Sequence, residues 1–359
     1  MSDIPRTMRG AMLLGAEQIE IREVPVRRPG QGELLLQVQA ATTCGTDVKV
    51  FRLGGHPRML KVPTLFGHEM AGTVAEVGHG VTQFRSGDAV VVANSAPCGG
   101  CPACRLNREN LCEDLHYLNG AFAEYLLVPA RFVARSTHAL PAGLSFSRAA
   151  LTEPLACVLH GIAACELEKF ERNTEIVVYG AGPIGLLFVA ALAMRGHQVL
   201  LADPNPTRLA IGKLLGASAT LEITRGGGQA ERVKQLTKGG HGVYVAIDCT
   251  GVPEVWNDAI ESLRPGGLVN LFGGCAPGTT IELDTHRVHY NELTLKGVYH
   301  HRPATIRAAL TLLGEPAFRA DLLLSAQVPI EGVEGALRSM MRKENLKVVI
   351  CAETQGMTM

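Results

Sequence analysis

Charge is what this chain has little of: Asp, Glu, Lys and Arg make up 19% of it, and 34 basic side chains are balanced by 34 acidic ones. With no net charge there is no long-range field to recruit a polyanion, so nucleic acid is set aside as a partner. The opening segment, MSDIPRTMRGAMLL, lacks the long apolar run and small-residue cleavage site of a secretory signal, and a cytoplasmic location is the expectation. No uninterrupted apolar stretch reaches membrane length. Ile176 to Met194 comes nearest, but Gly180, Gly182, Pro183 and Gly185 break it, and it reads as strand, turn and buried helix rather than a membrane span. There is no internal repeat and no low-complexity tail.

What is present is length and apolar content. At 359 residues, with 47% hydrophobic side chains and 40 glycines, the chain exceeds the usual single-core size of about 250 residues and suits a two-domain α/β protein with many tight turns. From Arg9 to about Pro129 short β runs alternate with turn residues: ELLLQVQ at Glu33, GTVAEV at Gly72, DAVVVA at Asp88 and EYLLV at Glu124. That pattern predicts an irregular β domain. After Ser145 the rhythm changes to a strand at Ile176 to Tyr179, a glycine turn, a helix to Arg195, a strand at Gln198 to Ala202 and a helix after Pro204. Further buried strands at Val243 to Asp248 and Leu268 to Phe272 flank a helix from about Val252 to Leu263, as a doubly wound parallel sheet requires. Beyond Asn291 come the strand LTLKGVY, helices at Pro303 to Leu313 and Glu331 to Arg342, and a last apolar strand, LKVVIC.

Gly180-Ala181-Gly182-Pro183-Ile184-Gly185 follows the apolar strand IVVY and opens a helix. In that context the first glycine permits the turn, the second admits a pyrophosphate close to the backbone, and the third lets the helix pack, while the helix N-terminus faces the phosphates. Asp203 ends the next strand about twenty residues on, where a carboxylate accepts hydrogen bonds from both ribose hydroxyls and repels a 2′-phosphate, so NAD is expected over NADP. Arg208 has the charge to take a phosphate but lies on the following helix, where a solvated charge is the plainer reading.

Ten cysteines in a chain without an export signal are expected to stay reduced. Cys98, Cys101, Cys104 and Cys112, spaced C-x2-C-x2-C-x7-C in a loop broken by glycine and proline, can close a tetrahedron around a structural zinc with no position left open. A second set is dispersed: Cys44, His68, Glu69 and Glu153 offer one sulfur, one imidazole and one or two carboxylates, which suits an open catalytic zinc.

Cys44-Gly45-Thr46-Asp47, Gly67-His68-Glu69, the four-cysteine loop, Glu153-Pro154, the GAGPIG loop and LRPGGLVNLFGG, in this order, resemble the zinc-dependent medium-chain alcohol dehydrogenases, more narrowly the polyol and threonine dehydrogenase branch. The resemblance covers nearly the whole chain. It implies an α/β protein with a GroES-like irregular β catalytic domain at 1–155 plus 295–359, a Rossmann doubly wound parallel sheet domain at 156–294, an active site in the cleft between them, and a homodimer or homotetramer. It places Cys44, His68 and Glu153 around the catalytic zinc, with Glu69 a ligand or one short movement from being one. Asp47 would orient the His68 ring, Thr46 would relay the proton of a zinc-bound alcohol, and His160 would line the cofactor cleft or else be a core histidine.

The chain also departs from that family. Lys49 occupies the position where many relatives complete the proton relay with histidine, and it could serve only with a depressed pKa. Val50, His300 and His301 stand where sorbitol dehydrogenases use tyrosine and an arginine-tyrosine pair, which argues against sorbitol itself. His300 and His301, with Arg302, are candidates for a different hydroxylated or anionic substrate, although alternation along a strand would let only one of the two histidines face it. The expectation is an NAD-dependent zinc enzyme that oxidises a secondary hydroxyl of a small polar molecule: a polyol, cyclitol, amino alcohol or sugar derivative. L-threonine 3-dehydrogenase is the nearest alternative; a zinc-free or non-catalytic dinucleotide-binding member is the more distant one.

Overall fold

The computed structural model describes residues 4–224 and 227–352. The chain separates into two compact units, one formed by residues up to Ala156, Arg302–Pro316 and the segment from Ala320, the other by Cys157–His301 and Ala317–Arg319.

The first unit is built on β-strands. Its main sheet runs, among the described residues, in the order Thr137–Ala139, Ala89–Val92, Glu69–Val77, Leu34–Thr42, Lys347–Cys351 and Leu324–Pro329, with Tyr125–Val128 also paired to Leu34–Thr42. The central strand, LLLQVQAAT, is apolar almost throughout because it is covered on both faces. Register shifts at Leu35/Leu36 and Val38/Ala40 kink its pairing with Glu69–Val77, the irregularity expected of this half. Two pairings matter most: Thr42 lies opposite Glu69 on one side and opposite Val349 on the other. A strand from the end of the chain therefore abuts the exit of the central strand. Phe51, Phe66, Phe122 and Phe132 anchor the core beneath.

The second unit is a parallel sheet in the order Ala219–Glu222, Gln198–Asp203, Glu175–Tyr179, Val243–Asp248, Leu263–Leu271 and Thr294–Gly297 among the described residues. Numbered along the chain this is 3-2-1-4-5-6, the doubly wound order whose reversal lies beside the first strand. Ile176 to Met194 resolves into strand Glu175–Tyr179 and helix Pro183–Ala193, as its glycine and proline interruptions predict. Another helical stretch, Phe146–Lys169, is long and apolar enough to cross a membrane, yet 78% of its most apolar window is buried inside the protein, as in a core helix.

Candidate functional site

Cys44 leaves the central strand with extended backbone and caps helix Gly45–Leu53: its Sγ accepts from Thr46 N at 3.3 Å, and Asp47 Oδ2 accepts from Cys44 N at 2.9 Å. This reciprocal cap aims Asp47 inward, where Oδ1 lies 2.8 Å from His68 Nδ1. A carboxylate accepting from Nδ1 leaves Nε2 as the nitrogen free for a metal, the usual companion arrangement of a metal-bound imidazole. Burial works against the charged His68 ring, but the charge and hydrogen bond of Asp47, joined by those of the Cys44 sulfur, outweigh it and raise the imidazole pKa well above its ordinary value. A proton and a metal ion therefore compete for the same nitrogen.

The next residue along, Glu69, is fully buried. Its Oε2 accepts from Thr42 Oγ1 and from the ammonium of Lys347, while Oε1 has no hydrogen-bond partner among the described residues. Glu153, also buried, stands in the first turn of helix Thr152–Ala164. One ligand atom each from Cys44, Asp47 and His68 lie within 4.8 Å of one another, and so do atoms of His68, Glu69 and Glu153. Sulfur, imidazole and carboxylate thus converge on His68, and an orphaned carboxylate oxygen beside them is what a cation would satisfy. The donor set fits zinc.

On the same helix Thr46 is half-buried and Lys49 is exposed. Lys49 lies near His56, whose pKa is lowered by burial first and then by the charges of Lys49 and Arg58. His56 Nδ1 accepts from Arg58 N and Met59 N at 3.2 and 3.1 Å. His56, Thr42 and Lys347 were not singled out from the sequence. For Lys347 a signal exists, a lysine opening the apolar strand LKVVIC, because a charge inside a buried strand demands a partner.

The four-cysteine loop brings its sulfurs together, with Cys98 and Cys104 Sγ 4.0 Å apart and Cys101 and Cys112 Sγ 3.8 Å apart. A tetrahedron of bonds of about 2.3 Å has edges of about 3.8 Å, so the spacing fits a four-thiolate zinc. Backbone N–H groups of Cys104 and Glu113 pull the Cys101 thiol down to about 6, whereas burial pushes Cys104 up to about 12. Four thiolates this close need a cation to coexist. None of the ten cysteines forms a disulfide.

In the second unit Gly180, at φ 100°, makes a turn that a side chain would strain. A Cβ on Gly185 would stand 1.8 Å from Gly180 O, while one on Gly182 would meet nothing within 4 Å. The turn is packed closely on one side and open at the helix N-terminus begun by Gly182, Pro183 and Ile184, a cradle suited to phosphate. Asp203 closes it: Oδ2 accepts from Ala181 N at 2.7 Å and Oδ1 from Asn205 N at 2.8 Å. Arg208 departs from the expectation of a solvated helix charge. It is half-buried, and although burial lowers its pKa, the Asp203 carboxylate opposes that shift.

The histidine pair departs from expectation as well. The strand ends at Gly297 and His300 turns to φ 62°, so the rings of His300 and His301 lie 4.0 Å apart instead of pointing to opposite faces. Tyr299 stacks on His300 at 5.5 Å, and His160 Nδ1 lies 2.7 Å from His300 O. Arg302 reaches the cysteine lobe, donating to Asn107 O at 3.1 Å.

A doubly wound parallel sheet with a glycine cradle, in a chain whose other unit carries two clusters of side chains able to hold a metal, is the pattern of a zinc-binding dehydrogenase. The chain belongs to the zinc-dependent medium-chain alcohol dehydrogenases, in the polyol and threonine dehydrogenase branch. Residues 30–138 match the alcohol dehydrogenase GroES-like domain and residues 183–315 the zinc-binding dehydrogenase domain. It is 30% identical to a sorbitol dehydrogenase of Bacillus subtilis (97% of this chain, 98% of that protein). It is 34% identical to a D-altritol 5-dehydrogenase of Agrobacterium fabrum, over 86% of this chain and 89% of that one. A zinc-binding dehydrogenase of Sinorhizobium meliloti, solved bound to NADP, superposes with a TM-score of 0.87 at 28% identity, covering 97% of this chain and all of that one. The protein is thus a zinc-containing alcohol oxidoreductase.

Proposed function

We propose that this enzyme oxidises a secondary hydroxyl of a small polar molecule, a polyol, cyclitol, amino alcohol or sugar derivative, to a ketone while reducing NAD. The observation that carries this reading is the largely buried group in which His68, oriented by Asp47, belongs to two overlapping sets of close ligand atoms, one with Cys44 and one with Glu69 and Glu153. Cys44, His68 and the glutamates would hold a catalytic zinc, and Cys98, Cys101, Cys104 and Cys112 a structural one. When bound, the catalytic ion supplies Lewis acidity toward a hydroxyl group, and the dinucleotide accepts the hydride.

The chain's own residues do the rest. Asp47 fixes the imidazole tautomer and ring plane. Thr46, in the first turn beside Cys44, offers a hydroxyl to take the substrate proton, and Lys49 lies one turn on, at the spacing that puts side chains on one helix face. Beyond it the imidazole of His56, which lies near the exposed Lys49, would carry that route outward. In the second unit the Gly180–Gly185 turn would receive the pyrophosphate and Asp203 the adenosine ribose of NAD, whose hydroxyls can donate to a carboxylate, whereas the 2′-phosphate of NADP would be repelled by it. Family resemblance supports a cytoplasmic homodimer or homotetramer.

The test is metal content of freshly purified protein together with NAD reduction across polyols, cyclitols, threonine and sugars. Two zincs per chain with turnover of a panel member other than threonine is the expected result. Turnover of threonine alone would replace the substrate reading, and one zinc with no turnover would replace the enzyme reading.

A further inference from the structure

Lys347 opens strand Lys347–Cys351, every residue of which is buried, and its own side chain is 1% exposed. An ammonium so placed is costly unless paired and hydrogen-bonded. Its Nζ meets Glu69 Oε2 and donates to Thr43 O at 2.8 Å. The next residue ties the same spot from the backbone: Val348 N donates to Thr43 Oγ1 at 2.9 Å, and Thr43 N to Val348 O at 3.0 Å. Two consecutive residues near the end of the chain thus grip the residue before Cys44 and the residue after His68. Stability alone does not account for the pair, since a buried ion pair is often no more stable than apolar residues of the same volume. The geometry of Glu69 is more specific: two donors occupy Oε2 and, among the described residues, none reaches Oε1, although the side chain lies in the interior.

We infer that Lys347 is a positioning residue for the catalytic metal, holding Oε2 of Glu69 together with Thr42 so that Oε1 is the one oxygen left to ligate. This rests on the catalytic-zinc reading above. The lysine touches neither substrate nor ion; it decides how a buried carboxylate is offered.

The test compares Thr42→Val, Lys347→Met and Lys347→Arg, each in the parent and in a Glu69→Gln background. The readouts are release of the weaker-held zinc to a chromophoric chelator and the visible spectrum of the cobalt-substituted protein. Thr42→Val and Lys347→Met are expected to change the release rate about ten- to a hundredfold, as loss of partners behind metal ligands does, and to alter the cobalt bands. Lys347→Arg should bring both readouts back toward the parent, and in the Glu69→Gln background none of the three should have further effect. The same change with and without Glu69, or no change in either background, overturns the inference. Thr42→Val exchanges only a hydroxyl for a methyl group and tests the holding of Oε2, while Lys347→Arg, which keeps the charge but moves the donors, tests the lysine's part even if Lys347→Met does not fold. A parent protein holding one zinc per chain would instead remove the catalytic-zinc reading itself.

Discussion

Asp47 serves His68 and Cys44 at once: Oδ1 lies 2.8 Å from the His68 ring nitrogen and Oδ2 accepts the Cys44 backbone N–H at 2.9 Å. Both acceptors are needed, so an amide of the same shape can satisfy only one side. Asp47→Asn is therefore expected to lower affinity for the catalytic zinc by about ten- to a hundredfold and to cost about 1 kcal/mol where the helix cap is lost. Zinc retained per chain after graded chelator dialysis measures the first effect and thermal unfolding the second. Parent-like zinc retention would show that the carboxylate does not support the ligand.

The two proposed zincs should be separable by mutation. Cys104→Ser takes one corner from the closed set of sulfurs, whose spacing of 3.8 to 4.0 Å leaves no spare ligand. Loss of one zinc and a lowered melting temperature are expected, because a closed site contributes folding free energy directly. Cys44→Ser should lose the other zinc and abolish turnover while NADH binding, followed by fluorescence, survives. Equal zinc loss and equal destabilisation from both substitutions would mean that the two sets do not act as separate sites.

How much of this could be read from the sequence depends on whether a site is contiguous. The Gly180 turn and the cysteine loop each lie within a few residues, so local spacing was enough to assemble them. Cys44, His68, Glu69 and Glu153 are dispersed, so donor type could only suggest the set and the family resemblance gave it roles; what the structure adds is the strand register that sets Thr42 opposite Glu69 and Val349. Lys347 escaped because a lysine beside an apolar run resembles a strand end facing water until its neighbours are known. Alternation failed at His300 and His301 because it holds only where the strand continues, and the positive φ at His300 ends it.

Asp203 gives the cofactor choice a test with two parts. Both of its oxygens already accept backbone N–H groups, so its removal both frees the ribose pocket for a 2′-phosphate and loosens the turn at Ala181. With the half-buried Arg208 nearby to take that phosphate, Asp203→Ser should raise the kcat/KM ratio for NADP over NAD by at least about tenfold, or about 1.4 kcal/mol of discrimination. Asp203→Ser with Arg208→Ala should lose most of the gain. An unchanged ratio in the single variant would end the argument that Asp203 selects NAD.

A half-buried imidazole on strand Thr137–Ala139 predicts an acid sensitivity. His138 has no hydrogen-bond partner at Nε2 among the described residues; burial, and then the charge of Arg307, lower its pKa to about 4. In the unfolded chain the same group titrates near 6.5. Between those values the unfolded state binds a proton that the folded state refuses, so this residue's contribution to stability falls as pH drops from about 6.5 to about 4 and is level above that window. His138→Leu removes the titration and keeps an apolar filling for the space. The melting temperature of the zinc-loaded variant, relative to the parent, should therefore rise steadily as pH is lowered from 7 toward 4.5, whatever the offset at neutral pH. Parallel curves across that range would show that His138 takes up its proton as readily in the folded protein as in the unfolded chain.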